Sequence, residues 1–171
     1  MGPGGTTMKI NELLLGEFDH EMSNTQRTLE RVPAERWDWK PHPKSGTLGW
    51  LAGHVATLPT FAVSTIQLRE LEIAGAQFPK VGNRSELLEV FSKCREEARK
   101  AIAGVTDDQL RETWTLKWNG KVIFSMPRYD VLRGMCFNHI VHHRAQLTMY
   151  LRALDVPVPA LYGPSADEGR M

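Results

Sequence analysis

Two histidines four residues apart, His139 and His143, are the side chains in this chain best placed for chemistry. They lie on an apolar seam whose steps alternate between three and four residues, as in a helix that faces a bundle. The seam consists of Leu132, Cys136, His139, His143, Gln146, Tyr150 and Ala153. Residues four apart share one helix face, so both imidazoles can reach one ion. Because a buried imidazole needs a partner, the spacing is compatible with a metal-binding pair or with two core histidines, each bonded to a polar neighbour.

A third histidine, His54, lies on the inward face of an earlier predicted helix, between Leu51 and Leu58. Pro59 removes a backbone N–H from that helix and is expected to bend it immediately after His54. If the two helices are neighbours, three imidazole nitrogens can converge. Three protein ligands with an open position are typical of a catalytic zinc site, although nitrogen ligands also suit nickel, copper and iron.

Polar residues beside the histidine pair are candidates for supporting roles. Gln146 shares the seam and is placed to bond the second nitrogen of a ligating imidazole or a bound water. Arg144 is expected to form an ion pair or a subunit contact. His142 lies about 100° around the helix from His143, which predicts a supporting or surface position rather than ligation.

A general base is not evident beside the histidines. The segment differs from the H-E-x-x-H metalloprotease motif, because Ile140 follows His139 where that motif has a glutamate. Any base must therefore come from another element. The candidates are Glu17, Asp19 and His20 in the first helix and Asp167 and Glu168 in the tail.

Four segments of the chain have helical periodicity. They cover approximately residues 7–31, 47–71, 83–103 and 129–154. Residues 113–126, between the last two, alternate apolar and polar side chains in the pattern of a β-hairpin. The predicted fold class is therefore all-α, a four-helix bundle with a short β-hairpin between helices 3 and 4.

The hairpin register depends on the length of its turn at Asn119-Gly120. A two-residue turn pairs Trp118 with Lys121 and divides the apolar residues between the two faces. A three-residue loop pairs Trp118 with Val122 instead. Because a slip of one residue exchanges the faces, we expect the longer loop or a bulge, with the aromatic side of the hairpin on the helices.

Composition limits the remaining possibilities. The 171 residues predict one domain spanning 1–171, in which residues 1–6 and 165–171 are loose. Leu161 and Tyr162, just before the loose C-terminal residues, are expected to pack back onto the fold. With 21 basic and 20 acidic residues, the net charge of +1 argues against a nucleic-acid or anionic membrane partner. The sequence contains no run of 18 apolar residues, so no membrane span is predicted. Cys94 and Cys136, without a CxxC motif, are predicted to be reduced core residues of a cytoplasmic protein, with a catalytic thiol as the alternative.

Three stretches together resemble the DinB-like (damage-inducible, YfiT-like) family, and the resemblance covers essentially the whole chain in order. They are Gly49-Trp50-Leu51-Ala52-Gly53-His54, then His139-Ile140-Val141-His142-His143-Arg144-Ala145-Gln146-Leu147, then Tyr150-Leu151-Arg152 with the following residues 156–164. The resemblance implies a four-helix bundle, often a dimer, that binds a divalent metal through three histidines. That ligand set carries over to His54, His139 and His143. Ala145 replaces the family's usual glycine, which does not affect ligation.

What the resemblance implies about activity is less specific. Some relatives are metal-dependent transferases or isomerases that use a low-molecular-weight thiol. We therefore expect a homodimeric enzyme that uses zinc or nickel, and a thiol or water as nucleophile, on a small-molecule substrate. The alternative is a non-catalytic, metal-binding stress-response protein. A DNA-associated damage factor is disfavoured by the balanced charge.

Overall fold

The computed structural model describes residues 8–169, so the expected loose residues 1–6 lie outside it. Its helices are α1 (Ile10–Leu29), α2 (Leu48–Thr57), α3 (Thr60–Gln67), α4 (Arg84–Gly104), α5 (Asp107–Arg111), α6 (Arg128–Val131) and α7 (His139–Ala153). Its strands are β1 (Glu70–Glu72), β2 (Thr113–Trp118) and β3 (Lys121–Pro127). A 3₁₀ turn (Ala34–Arg36) and a π-helical segment (Leu132–Asn138) join them. No helix within the described range is long and apolar enough to cross a bilayer.

The long helices pack around one hydrophobic core. α1 lies against α4 and α7, and α2 lies against the same two helices. Phe18 of α1, Phe91 of α4 and Leu147 of α7 are fully buried in this core. The packing brings α2 and α7, which carry the predicted metal ligands, into direct contact.

The predicted second helix is interrupted at Pro59. Thr47 caps the start of α2, because its side chain accepts a hydrogen bond from the Trp50 N–H over 3.1 Å. The helix ends at Thr57 and a new helix, α3, begins at Thr60, because Pro59 has no N–H to donate to the helical hydrogen-bond pattern. The prediction of one helix as far as residue 71 is therefore wrong, and Leu71 lies in β1.

The predicted fourth helix is continuous in position but irregular in winding. α6, the π-helical segment and α7 follow one another without a break from Arg128 to Ala153. The π-helical turns contain more residues per turn than an α-helix and shift the buried face. The most buried residues of α7 are Ile140, Arg144, Leu147 and Leu151. The predicted seam of α7 is thus displaced by one residue, and its histidines lie half-buried at the edge of the core.

The hairpin belongs to a three-stranded sheet of order β1-β2-β3, in which β1 is parallel and β3 antiparallel to β2. Asn119 (φ 49°) and Gly120 (φ 72°) form the two-residue turn, and Trp118 pairs with Lys121. The prediction of a longer, three-residue loop is therefore wrong. The expected bulge is confirmed, because the register shifts after Leu116. The parallel strand β1 was not predicted.

One face of the sheet packs on the helices, as expected. Trp114 and Leu116 of β2 form a second buried cluster with Phe61 of α3 and Val131 of α6. The exposed apolar side chains of the hairpin include Trp118 and those of β3 near the turn. Since the predicted helices 2 and 4 are subdivided and α5 is additional, the fold is mostly helical with a small sheet, rather than a one-for-one match to four helices.

The C-terminal stretch that was expected to be loose is held to the helices as far as Glu168. That carboxylate pairs with Arg27 of α1 over 2.8 Å and with Arg31, just after the end of α1. Asp167 pairs with Arg152 of α7 over 2.5 Å. Residues 170 and 171 lie outside the described range.

Cys94 and Cys136 are free and buried, in agreement with core positions. Burial raises the pKa of Cys94 to about 11 and that of Cys136 to about 12. Both side chains are therefore protonated thiols at neutral pH, which does not favour the alternative of a catalytic thiolate.

Candidate metal centre

The three predicted ligands meet where α2 crosses α7. One ring nitrogen from each of His54, His139 and His143 lies within 4.8 Å of the others. The His54 ring centroid is 5.3 Å from that of His139 and 4.6 Å from that of His143. His142 is exposed and is not part of the cluster, as expected from its position on the helix.

The imidazole of His54 is held by an aromatic neighbour on its own helix. Trp50, one turn earlier, stacks on it with a centroid separation of 5.4 Å and an interplanar angle of 9°. The pair is an i, i+4 contact on one helix face. Trp50 itself is 59% exposed, so the stack fixes the ring direction of His54 at the protein surface rather than in the core.

The side chain of Gln146 determines which nitrogen of His143 is free. Its Oε1 lies 2.7 Å from Nδ1 of His143. Because an amide oxygen only accepts, Nδ1 must carry the proton and Nε2 presents a lone pair. The predicted contact of Gln146 with a ring nitrogen is therefore present, and contacts of this kind orient histidine ligands in metal sites.

The two α7 histidines face each other through their Nε2 atoms, which are 2.8 Å apart. Since Nε2 of His143 is unprotonated, Nε2 of His139 must donate the proton that they share. Nδ1 of His139 is then an acceptor, yet it is buried without a hydrogen-bond partner. The metal-free arrangement therefore leaves one buried polar atom unsatisfied.

A metal ion held by Nε2 of His139 would require the proton of that imidazole to be on Nδ1 instead. The carbonyl of Met135, in the π-helical segment, lies close enough to influence the pKa of His139, although the contact lacks hydrogen-bond geometry. That carbonyl is the natural acceptor for a proton on Nδ1.

The donor set also fits the electronic needs of a divalent ion. Burial lowers the pKa of His54 to about 4, with His143 and His139 adding to the effect. The pKa of His139 is lowered by burial and by His143, and that of His143 mainly by burial, against the hydrogen bond of Gln146. All three imidazoles are therefore neutral at pH 7, the form that binds metals.

The separations suit first-row metals. Nitrogen atoms bound tetrahedrally to one zinc at about 2.0–2.1 Å lie roughly 3.3 Å apart. The observed values, from 2.8 Å to at most 4.8 Å, bracket that figure. Within residues 8–169, no cysteine or carboxylate joins the cluster, so the protein supplies three ligands.

A cavity of about 530 Å³ borders the cluster. His54 and His139 form part of its wall, beside the corner between α2 and α3. The rest of the wall comes from the loop around residues 73–81 and from Trp37. The indole of Trp37 packs so closely on α2 that a Cβ at Gly49 would overlap its nitrogen.

A family model described as the DinB superfamily matches residues 17–147. The chain belongs to that superfamily. The match includes all three histidines of the cluster.

Two solved structures share the fold of this DinB-superfamily protein. A DinB-like protein from Bacillus cereus has a TM-score of 0.70 at 24% identity, with 90% of this chain and 98% of that chain covered. A DinB-like protein from Bacillus subtilis has a TM-score of 0.69 at 16% identity, with 93% and 99% covered. No curated protein matches.

The candidate general bases of this DinB-superfamily protein lie away from the cavity and have other partners. Glu17 pairs with Arg133, Asp19 with Arg99, and Nε2 of His20 lies 3.2 Å from Nδ2 of Asn24. Asp167 and Glu168 hold the tail to the helices. None of these five side chains lines the cavity.

A buried ion pair joins α7 to α1, and only one of its two residues was predicted. Arg144 (1% exposed) pairs with Glu21 of α1 (6% exposed) over 2.6 Å. Tyr162 donates to the same carboxylate over 2.7 Å and accepts from Arg144. The ion pair of Arg144 and the packing of Tyr162 were expected. The partner Glu21 was missed, although it falls between Phe18 and Thr25 on the inward stripe of α1.

Proposed function

We propose that this protein binds one divalent metal ion through His54, His139 and His143 and uses it as the centre of an enzyme site. The observation that supports the proposal is the convergence of three neutral imidazoles at the wall of a cavity, without a fourth ligand from the described residues. Such a set leaves a coordination position for water or substrate, as in catalytic zinc sites. Zinc and nickel are the ions that the donor set favours.

The chain's own side chains do the positioning in this site. Gln146 keeps the proton on Nδ1 of His143 and so directs Nε2 inward. Trp50 holds the ring of His54 by stacking. The largely apolar walls of the cavity would orient a bound molecule.

The bound ion would act as a Lewis acid toward substrate or lower the pKa of a water or thiol nucleophile. No carboxylate among the described residues lines the cavity. The proton released by the nucleophile therefore goes to solvent or to the leaving group, not to an aspartate or glutamate. The reaction classes that we propose are thiol transfer, with a low-molecular-weight thiol as cosubstrate, and hydrolysis.

Metal analysis of purified protein tests the binding site. We expect uptake of one zinc or nickel ion per chain, lost in His54→Ala, His139→Ala and His143→Ala. His142→Ala is the matched control, because His142 is exposed and lies outside the cluster. Stoichiometric uptake by the three variants, measured with folding verified by circular dichroism, would refute the site.

Turnover is tested separately with the metal-loaded protein. Glutathione, bacillithiol or mycothiol is supplied with small electrophiles, and activated esters test hydrolysis. Activity that disappears in His143→Ala but not in His142→Ala supports the enzyme. Stoichiometric metal uptake without turnover supports the alternative, a non-catalytic metal-binding stress-response protein.

The homodimer is a further part of the proposal. Trp118, Val122 and Ile123 of the hairpin are all more than half exposed, and such an apolar patch is commonly covered by a partner. Sedimentation equilibrium of the metal-loaded protein gives the mass directly. A monomer across the micromolar range would remove the dimer from the proposal.

A further inference from the structure

We infer that the cavity beside the three histidines takes a small anionic molecule with a flat, aromatic or similarly apolar body. The cavity volume of about 530 Å³ lies within the range of small-molecule sites. The inference rests on the proposed metal function for the end of the ligand that faces the histidines. Its experiment is arranged so that each part fails separately.

The apolar body follows from the walls. Trp37, Trp50, Phe61 and Phe78 contribute aromatic rings to the lining, and aliphatic side chains supply most of the rest. Phe78 is nearly half exposed although it is large and apolar. Burying an aromatic body against such walls removes apolar surface from water on both partners.

The charge of the ligand follows from the electrostatics of the same walls. Lys80 is the one lysine or arginine among the described residues that line the cavity. No acidic side chain is among the described residues of the lining, and Lys80 has no ion-pair partner among residues 8–169. A bound metal adds charge of the same sign. The described side chains of the lining therefore include one basic group and no acidic group, a charge distribution that favours anions over cations.

Four probes separate the body from the charge. 2-Naphthoate carries an anionic group, 2-naphthalenemethanol is neutral, 2-naphthylmethylamine is cationic at pH 7.5, and acetate has the anionic group without the body. Binding is measured by calorimetry or naphthalene fluorescence, with metal-free and metal-loaded protein.

In metal-free protein we expect naphthoate to bind about two- to fivefold more tightly than the alcohol, as for one exposed charge pair. This preference should vanish in Lys80→Gln. In metal-loaded protein we expect the naphthoate preference to increase to about tenfold or more, because an anion can reach the ion. The amine should bind most weakly in both forms, and acetate should not bind metal-free protein measurably.

A cavity-filling variant locates the binding. Gly53 lines the cavity, and a Cβ there would lie at an ordinary 3.7 Å from Val81, so Gly53→Leu places its side chain between α2 and the opposite wall. We expect at least about tenfold weaker naphthoate binding with metal uptake retained. Gly16→Leu is the matched control, because Gly16 is exposed on α1 with nothing within 4 Å of its Cβ position.

The outcomes are separable. Equal affinity for the three naphthalenes, preference for the amine, or unchanged binding in Gly53→Leu would overturn the inference whether or not metal binds. If the protein takes up no metal, the proposed function fails, while the metal-free comparison of wild type with Lys80→Gln still decides the charge preference.

Discussion

Oε1 of Gln146 accepts a hydrogen bond from Nδ1 of His143 over 2.7 Å. The contact spans one helical turn of α7 and leaves Nε2 of His143 as the donor atom toward a metal. The tautomer that the proposed metal site requires of this histidine is therefore favoured by a residue of its own helix.

Removal of that acceptor should weaken metal binding. We expect Gln146→Leu to reduce zinc affinity by about 10- to 100-fold, the usual effect of losing such a partner, measured by competition with a fluorescent chelator. Gln146→Glu keeps an acceptor and should retain affinity near the wild-type value. Met149→Ala, on the exposed face of α7, is the control. Equal losses in the Leu and Glu variants would show that Gln146 acts only through packing.

The stability of metal-free protein should depend on pH through the three histidines. Each has a lower pKa in the folded state than the value near 6.5 expected on unfolding, and for His54 it is about 4. The unfolded chain therefore binds more protons between these values, so stability is present above pH 6.5 and is lost as pH falls toward 4.

Urea unfolding in chelator at pH 7.5, 6 and 5 measures this dependence. A triple variant with glutamine at positions 54, 139 and 143 should show a smaller loss on acidification than wild type, whatever its absolute stability. His142→Ala should keep the wild-type slope. A triple variant that loses stability as steeply as wild type would assign the acid sensitivity to other groups.

The buried pair of Arg144 and Glu21 should matter for stability more than for metal binding. Arg144→Leu leaves a buried carboxylate without its cation, which typically costs about 3–5 kcal/mol of unfolding free energy. Arg152→Leu is the control, because its exposed pair with Asp167 is worth roughly 0.2–1 kcal/mol. Denaturant titration gives both values. A loss in Arg144→Leu no larger than in Arg152→Leu would contradict the structural role.

Two glycines of α2 should respond in opposite directions to alanine. A methyl group at Gly49 would overlap the indole of Trp37, so Gly49→Ala should destabilise by about 1–3 kcal/mol through overpacking. Gly53→Ala meets Val81 at an ordinary 3.7 Å and should stabilise the helix by roughly 0.5–1 kcal/mol. Thermal unfolding of the two variants compares them directly. Stabilisation of both would show that Trp37 yields to the added methyl group, and destabilisation of both would contradict the prediction for Gly53→Ala.

The predicted ligands could be identified from the sequence because helical spacing is local. His139 and His143 share a face whatever surrounds them, and His54 lies on the inward face of its own helix. The same local reasoning predicted the contact of Gln146 and a bulge as one of two alternatives in the hairpin, although it did not predict the position of the bulge.

Features that depend on distant partners were missed. β1 has only three residues, Glu70–Glu72, and exists because β2 lies beside it. The sequence around Glu21 is compatible with a solvated carboxylate, and its burial depends on the ion pair with Arg144 of another helix. The cavity is lined by the corner between α2 and α3, the loop around residues 73–81 and residues of more distant segments. No single stretch of the sequence therefore predicts it.

The π-helical segment Leu132–Asn138 determines which face of α7 points toward the core. One residue of helix corresponds to a rotation of about 100°, so shortening this segment by one residue would turn the faces of α7 relative to the chain before it. Arg144 and Ile140 would leave the core, and the two imidazoles would no longer point toward α2. The approach of His139 and His143 to His54 thus depends on how the chain is wound in the segment directly before them.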